Sequence, residues 1–259
     1  MIRTERHSRG FLFRALLVAT TLFVLATQAG ATMIDVQCVN TTPGQTVLPA
    51  FTGAAVVGAP GDYWNPVSGV WGTFTHAYFG LPLKDVAGNS TPVTVNFFFK
   101  GFYGKALGEP PWPFAGTALD ALMSQYAFGQ TDNQLAIRFM NLAPGPYDLY
   151  FYSSPSPDAT IRVTQFTAAT ATQTLIATAG PYGASTFQEG VNYVHLQPLI
   201  GSDGELRVLM QGIGNETQNL PEADLSGLQL ATAPEPQGFW IVSAPILGFL
   251  LERRRKPQQ

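Results

Sequence analysis

Leu142-Ala-Pro-Gly-Pro146, followed directly by Tyr147-Asp-Leu-Tyr-Phe-Tyr152, is the stretch that decides the fold class. Two prolines around a glycine favour a tight turn, because proline presets φ and glycine tolerates positive φ. The six residues after the turn alternate in character, as expected of a β-strand with one face in a core. The stretch therefore predicts a turn that leads into an aromatic strand.

Short apolar runs bounded by turn residues recur on both sides of this strand, whereas helical periodicity is scarce. This pattern is typical of an all-β sandwich or barrel. We expect a single jelly-roll-like β-sandwich with one short helix. The predicted strands are residues 33–39, 54–57, 70–75, 93–99, 134–139, 147–152, 159–166, 172–177, 193–199, 205–210 and 225–230.

Two connections carry more specific predictions. Ser202-Asp-Gly204 separates the apolar runs 194–200 and 206–210 and predicts a tight hairpin, since Asp-Gly accepts positive φ. Residues 117–129 form the one predicted helix, with Thr117 as its cap. The residues predicted to share its apolar face are Leu119, Leu122, Met123 and Tyr126.

The first 31 residues predict a secretory signal peptide. Four arginines (Arg3, Arg6, Arg9 and Arg14) precede the apolar run 15–26, and Ala29-Gly-Ala31 supplies a cleavage site of small residues. We expect cleavage after Ala31, which leaves residues 32–230 as the β-sandwich domain. An uncleaved N-terminal anchor is the alternative.

The C-terminal tail, residues 234–259, predicts an address. A polar linker (231–237) overlaps Pro234-Glu-Pro236, and an uncharged span (238–251) precedes the basic residues 253–256. As a helix the span would be about 21 Å long, short against a hydrocarbon core of roughly 30 Å. We interpret it as a membrane-directed, transmembrane-type helix with its basic end on the cytoplasmic side. A buried core helix or final strand is the alternative.

This tail resembles the PEP-CTERM sorting signal of Gram-negative bacteria. Pro234, Glu235 and Pro236 match its motif, and the residues of its basic end are Arg253, Arg254 and Arg255, with Lys256 beside them. The resemblance implies an exosortase as processing partner, transient retention in the inner membrane, and delivery to the cell surface or extracellular matrix. It also implies an association with exopolysaccharide production. The short span, interrupted by Pro245, favours transient holding over permanent anchorage.

Residues 140–230 resemble the galactose-binding-like jelly rolls, which include many carbohydrate-binding modules and the malectin-like domains. The resemblance rests on the Pro-Gly turn into the aromatic strand, Gly190-Val-Asn-Tyr193, Asp203-Gly204 and the closing Leu225-Ser-Gly-Leu-Gln-Leu230. It implies glycan binding by loop residues at one end of the sandwich.

Charge limits the class of partner. Residues 32–230 keep 6 of the 14 basic and 14 of the 17 acidic side chains, so their formal net charge is −8. A nucleic-acid binder needs clustered Lys and Arg to neutralise phosphates, so no nucleic acid is expected as a partner. Neutral glycans or cations suit this balance better than anionic polymers.

Few residues are suited to catalysis. His76 and His195 are the two histidines between residues 32 and 230, without metal-ligand spacing, and no nucleophile elbow or phosphate loop occurs. Cys38 is the only cysteine, so no intramolecular disulfide forms, and we expect it to be a small buried hydrophobe. We therefore predict no catalytic residues and no enzyme activity.

Residues suited to ligand binding are more evident in the sequence than residues suited to catalysis. Trp64 and Trp112 lie in turn-rich segments, where a sugar can stack on an aromatic ring while Asp62 and Asn65 take its hydroxyls. These four residues are the candidate glycan site, and the alternative is that the tryptophans cover the ends of the core. No cofactor is predicted. Asp62 with Asn65, or Asp203 with Glu205, offers oxygen ligands for Ca²⁺, but turn formation is the commoner role of such aspartates.

Together these features predict an exported, non-catalytic surface or matrix protein, with glycan or exopolysaccharide as its predicted ligand. Two other classes stay open. One is a secreted glycan-active enzyme, and the other is a purely structural matrix component that self-associates.

Overall fold

A computed structural model describes residues 32–44, 49–71, 76–104, 113–130, 135–153, 162–181, 184–213 and 221–233. Within these ranges the chain is almost entirely β-structure, with one short helix, α1 (Asp120–Met123). The strands are β1 (Met33–Asn40), β2 (Trp64–Gly69), β3 (His76–Lys84), β4 (Ser90–Phe99), β5 (Gly101–Gly104), β6 (Gln125–Gly129), β7 (Leu135–Met140), β8 (Gly145–Tyr152), β9 (Thr164–Ala169), β10 (Thr174–Ala179), β11 (Tyr193–Leu196), β12 (Leu199–Ile200), β13 (Leu206–Gly212), β14 (Ala223–Leu225) and β15 (Gly227–Thr232).

The strands form a jelly-roll-like sandwich of two large sheets with a small third one. Sheet 1 has the order β11-β8-β15-β1-β2, with β12 also paired to β8, and sheet 2 has the order β10-β9-β13-β7-β4-β3. The third sheet is β14-β6-β5. Among these named strands of the described ranges, the pairing of β1 with β2 is parallel and the other pairings are antiparallel. The all-β sandwich prediction is therefore confirmed.

The stretch that decided the fold class forms the predicted turn and strand. Residues 141–144 carry the chain from β7 in sheet 2 to β8 in sheet 1, and Gly145 has a φ of +143°. The Tyr147 hydroxyl donates to the Ala143 carbonyl at 3.1 Å, which ties the strand to the turn that precedes it. Such a tyrosine bond across a corner of a sandwich fixes where the chain changes sheets.

The main core lies between the two large sheets. Tyr147, Leu149 and Phe151 of β8 point into it, and the Phe151 ring stacks on Phe166 of sheet 2 with centroids 4.9 Å apart. Each fully buried large apolar side chain contributes roughly 1.5–3 kcal/mol. The residues of β8 between these three point to the outer face of sheet 1.

Part of that outer face is also covered. A second cluster of buried side chains consists of Phe51, Trp64, Phe114, Leu122, Met123 and Tyr152. The segment from Phe51 to Tyr63 and the helix α1 supply the cover, so β1 is buried on both faces from Ile34 to Asn40. This cover decides which part of the sheet face stays accessible.

The predicted hairpin at Ser202-Asp-Gly204 is wrong as a pairing, although the turn is present. Gly204 has a φ of +63°, as expected of Asp-Gly, but β12 pairs with β8 whereas β13 pairs with β7 and β9. The turn therefore carries the chain between the two sheets. Sequence-adjacent strands need not pair in a sandwich, because a connection can also cross from one sheet to the other.

The predicted helix over residues 117–129 is largely wrong. The helix spans only Asp120–Met123, its N-cap is Leu119, and residues 125–129 form β6. Pairing of β6 with β5 and β14 satisfies main-chain groups that a longer helix would have bonded internally. Tertiary pairing thus outweighs the local helical period.

Of the other predicted strands, some are wrong or broken and most are confirmed. Residues 54–57 are not a strand, and 193–199 is broken between β11 and β12. The strands at 33–39, 93–99, 134–139, 147–152, 172–177, 205–210 and 225–230 are confirmed with shifted ends or, for the last, a break at Ser226. Residues 72–75, 159–161 and the region 1–31 lie outside the described residues, as do 234–259. β15 extends to Thr232, so Ala231 and Thr232 belong to the domain rather than to the predicted linker.

Across the described ranges, no helix combines the length and apolar character that crossing a bilayer requires.

Candidate functional site

The structure contradicts the candidate glycan site at the residue expected to stack on a sugar. Trp64 is 1% exposed, and its indole Nε1 donates to the Gly53 carbonyl at 2.9 Å. Phe51 packs edge-on against it with centroids 5.3 Å apart. The ring therefore covers the outer face of sheet 1, which is the alternative that the sequence left open. Trp112 lies outside the described residues.

Asp62 and Asn65 are also engaged within the fold. The Asp62 Oδ2 accepts the Ala59 N–H at 2.6 Å and closes a turn. The Asn65 amide donates to the carbonyls of Asp35 and Lys84 at 2.9 and 2.8 Å and accepts the Lys84 N–H at 2.8 Å. Buried side chains bonded in this way hold loops and strands in place, and they are not free to take sugar hydroxyls.

In the second candidate pair of Ca²⁺ ligands, Asp203 with Glu205, the Glu205 carboxylate is likewise engaged within the fold. Glu205 binds Arg207 and Arg138, and their hydrogen bonds, first that of Arg207, hold the pKa of this carboxyl below its ordinary value. Among the described residues, no three His, Cys, Asp or Glu side chains converge where a metal ion would bind.

Another group of residues converges on the outer face of sheet 1, beyond the edge of the covering segment. Asp148 and Tyr150 of β8 lie beside Tyr193 and His195 of the neighbouring β11, and the register pairs His195 with Tyr150. All four side chains are partly exposed. We call these four residues the tyrosine platform. It forms because strand residues two apart share a face, so each strand contributes two of them.

Ring contacts give the platform its shape. The Tyr150 and His195 rings are stacked, with centroids 4.4 Å apart and planes 4° from parallel. The centroid of the Tyr193 ring lies 6.4 Å from that of Tyr150 and also 6.4 Å from that of the buried Tyr152. Phe187, from the loop before β11, meets Tyr193 edge-on at 6.0 Å. The result is a small aromatic surface mounted on a sheet.

Asp148 is the central hydrogen-bond acceptor in the polar part of the tyrosine platform. Its Oδ1 lies 2.8 Å from His195 Nε2 and accepts the Gln197 amide at 2.9 Å. The His195 and Asp148 side chains are 26% and 21% exposed, so this cluster reaches solvent. Burial raises the pKa of Tyr150, and the negative charge of Asp148 adds to the rise, so the phenol stays a neutral donor.

Buried hydrogen bonds hold the platform from below. The Tyr152 hydroxyl donates to Gln229 and accepts the Val56 N–H at 3.2 Å, while the Gln229 amide donates to the Val57 carbonyl at 3.2 Å. These bonds connect the sheet to its covering segment. The aromatic residues that adjoin the platform are thereby fixed before any ligand arrives, which lowers the entropic cost of binding.

A second support comes from the loop that carries Phe187. The Asn192 side chain accepts the Gln188 N–H at 2.9 Å and donates to the Thr186 carbonyl at 2.8 Å. One buried amide therefore closes the loop into a fixed turn. This arrangement positions Phe187 against Tyr193.

Two other features of the described residues lie away from the platform. Cys38 is fully buried in the main core, and burial raises the pKa of its thiol to about 12, so it stays protonated. A cavity of about 180 Å³ lies elsewhere, at the ends of β6 and β13, and its lining includes Gln130, Met210, Gln211 and Ile213 but no charged side chain. What the platform offers is stacking surface and neutral or charge-assisted hydrogen bonds.

None of the platform residues is predicted as a site from the sequence, although the sequence contains one signal. Tyr147-Asp-Leu-Tyr-Phe-Tyr152 puts Asp148, Tyr150 and Tyr152 on one face and purely apolar or corner residues on the other. This alternation predicts that the polar and tyrosine side chains of β8 lie on the sheet face that is turned away from the main core. His195 joins it only through the pairing of β8 with β11, which cannot be read from local sequence.

No family model matches the chain, and no curated protein matches it. Among solved structures, that of TmCBM61 in complex with beta-1,4-galactotriose is similar at 9% sequence identity, over 55% of this chain and 85% of that chain, with a TM-score of 0.26.

Proposed function

We propose that this protein is an exported, non-catalytic glycan-binding protein, and that the tyrosine platform is its binding site. The observation that carries the proposal is the pair of partly exposed tyrosine rings beside the Asp148, His195 and Gln197 cluster. This replaces Asp62, Trp64 and Asn65 as the binding residues.

The chemistry of the platform suits a neutral sugar. The apolar face of a pyranose ring packs on an aromatic side chain, and tyrosine offers such a surface together with a hydroxyl at low entropic cost. Asp148 accepts from sugar hydroxyls, and charge-assisted hydrogen bonds of this kind are stronger than neutral ones. A negatively charged polymer would meet Asp148 and a domain with a formal net charge of −8. Neutral chains are therefore the favoured ligand.

We expect binding to depend on the two tyrosines. Tyr193→Ala and Tyr150→Ala each remove a stacking surface, and we expect each to weaken binding by roughly tenfold, as truncation of a central interface residue does. The measurement is affinity electrophoresis of the full chain in gels containing neutral soluble polysaccharides, followed by calorimetry with any that retard it.

The matched control is Phe79→Ala, which removes an exposed aromatic ring from β3 in the other sheet. This variant should bind like the unchanged protein. Equal retardation of the Tyr193→Ala and unchanged proteins, with loss in Phe79→Ala, would overturn the assignment. Release of reducing ends from a bound polysaccharide would instead favour a glycan-active enzyme.

Export and surface sorting belong to the same proposal. Their support is the two ends of the sequence, the arginine-led apolar run before Ala31 and the Pro234-Glu-Pro236 tail with its basic end. Processing by an exosortase and transient inner-membrane retention follow from the resemblance of that tail. A surface or matrix destination would put the platform among extracellular polysaccharides.

A further inference from the structure

The strand β10 forms one edge of sheet 2, and β9 is the one described strand that pairs with it. We propose that this open edge is a self-association site, at which β10 pairs antiparallel with β10 of a second copy of this chain across a two-fold axis. The interface goes beyond glycan binding and does not require it.

The main-chain groups of β10 divide into two sets. The Thr170 N–H donates to the Gln173 carbonyl at 2.9 Å and closes the turn between β9 and β10. Hydrogen-bonded and non-bonded pairs alternate along an antiparallel ladder. The N–H and C=O groups of residues 175, 177 and 179 therefore face β9, whereas those of Thr174, Ile176 and Thr178 face the open edge.

This edge lacks the features that normally prevent strand pairing. Thr174-Leu-Ile-Ala-Thr-Ala179 contains no charge, proline or glycine, and no charged residue occurs anywhere from Val163 to Gln188. Short uncharged segments of high β-propensity pair readily when their edge is exposed. Ile176 is also 60% exposed on this strand.

The remaining described edges are protected. At the opposite edge of sheet 2, β3 has two register shifts against β4 and contains Gly80, Pro82 and Lys84. In sheet 1, the edge strand β2 carries Pro66, and the strands at the other edge, β11 and β12, are only four and two residues long. The edge strands of the third sheet, β14 and β5, have only three and four residues. Bulges, prolines, lysines and short strands are the usual devices against edge pairing. The six-residue β10 has none of these features, so its edge is the one at which we expect pairing with another strand.

A second copy is the occupant that charge favours. The domain has a formal net charge of −8, so two copies repel each other over most of their surface. The uncharged β9–β10 hairpin is a place where they approach without that penalty. An identical strand is complementary to itself in an antiparallel pairing, because a two-fold axis relates the same surface on both subunits.

The geometry gives a definite register. Pairing Ile176 with Ile176 of the second copy also pairs Thr174 with Thr178, and this register forms about six main-chain hydrogen bonds. The Ile176 side chains then meet on the outer face of a continuous sheet. Leu199, which is 53% exposed and whose N–H bonds Gln173 at 3.0 Å, lies beside the same edge.

The first test is light scattering of the full chain over a wide concentration range. We expect a dimer that dissociates on dilution, and Ile176→Lys should raise the dissociation constant by roughly tenfold or more, because two like charges would face each other directly. Phe79→Lys, on the protected edge, is the matched control and should dimerise like the unchanged protein. A chain that stays monomeric, or association that Ile176→Lys leaves unchanged, would overturn the proposal.

The second test uses a cross-link and does not depend on the lysine substitution. Hydrogen-bonded partners have Cα atoms about 5.5 Å apart, within the range that a disulfide spans. Ile176→Cys should therefore form a covalent dimer on mild oxidation, whereas Phe79→Cys should not. Native Cys38 is buried and does not interfere. Cross-linking of Phe79→Cys but not of Ile176→Cys would place the interface elsewhere.

Discussion

Asp35 is a fully buried acid on β1, beneath the covering segment of sheet 1. Neither of its carboxylate oxygens has a hydrogen bond of normal geometry among the described residues, although the Gln229 amide, which donates to the Val57 carbonyl, lies close enough to act on the carboxyl. Burial raises the pKa of Asp35 to about 7, and the charge of Asp62 adds to the rise while Gln229 opposes it. Between pH 3.8 and about 7, the Asp35 carboxyl therefore keeps its proton in the native state but has lost it in the unfolded chain.

This proton makes stability depend on pH in a definite direction. The unfolded Asp35 loses its proton near pH 3.8 and the native one near pH 7, so stability falls as pH rises through that window. The penalty approaches about 4 kcal/mol above pH 7, taking 1.36 kcal/mol for each unit of pKa. Asp35→Asn removes it. We expect the variant to be more stable by roughly 2–4 kcal/mol at pH 8 and nearly unchanged at pH 4, measured by urea unfolding.

Asp85→Asn is the matched control. Asp85 is partly exposed and accepts the Asn89 and Ala87 N–H groups, and these bonds, first that to Asn89, lower its pKa. Its contribution is present at neutral pH and is lost as pH falls, the opposite sign to Asp35. A gain in the stability of Asp35→Asn that is equal at both pH values would contradict the assignment.

At the scale of elements, two turns between the sheets are bonded to each other. The Leu142 N–H donates to the Gly204 carbonyl at 3.0 Å, which joins the turn before β8 to the turn before β13. Gly204 has a φ of +63°, and a Cβ there would lie 2.7 Å from the Leu142 carbonyl oxygen. The position therefore requires glycine for its conformation and for the close approach.

Gly204→Ala should destabilise the domain by roughly 1–3 kcal/mol, because it combines a strained φ with a main-chain clash. Thermal unfolding followed by circular dichroism measures the loss. Gly88→Ala is the control, since Gly88 has a similar φ of +81° but no atom within 4 Å of its Cβ position. Equal losses in the two variants would show that contact with Leu142 contributes nothing.

The elements also mark how far local sequence determines this fold. The alternation of β8 was visible because Leu149 and Phe151 are apolar and their neighbours are polar or phenolic. The turn-like Gly61-Asp-Tyr63 predicts a loop at Trp64, yet β2 begins at Trp64 and pairs in parallel with β1. Residues 125–129 have a helical period and still form a strand. In both cases distant pairing decides, and a single sequence does not display it.

The candidate site shows the same division. The face of β8 that carries Asp148 and Tyr150 follows from the period of the strand. Which part of that face stays accessible depends on the cover from Phe51, Trp64 and α1, and this cover is a property of the tertiary fold. Tyrosine exposure at the platform therefore became visible only in the structure.

At the scale of the whole molecule, residues 234–259 decide the predicted destination. Deleting them should release the protein from the membrane fraction into the periplasm or medium, because the apolar span and its basic end are removed together. Cell fractionation with immunoblotting measures the distribution. The matched variant replaces only Pro234, Glu235 and Pro236 with alanine and should leave unprocessed protein at the inner membrane. A truncated protein that distributes like the full chain contradicts the sorting hypothesis.

The two terminal strands of the domain lie side by side at the centre of sheet 1, with Met33 paired to Ala231. On its other side, β15 pairs with β8 along its length, from Gly227 opposite Tyr152 to Thr232 opposite Tyr147. If the chain is tethered through the residues after Thr232 while a polysaccharide pulls on Tyr150, the ladder between β15 and β8 is the most direct path for the tension. The main-chain hydrogen bonds between two neighbouring strands of sheet 1 would then carry much of the mechanical load on the domain.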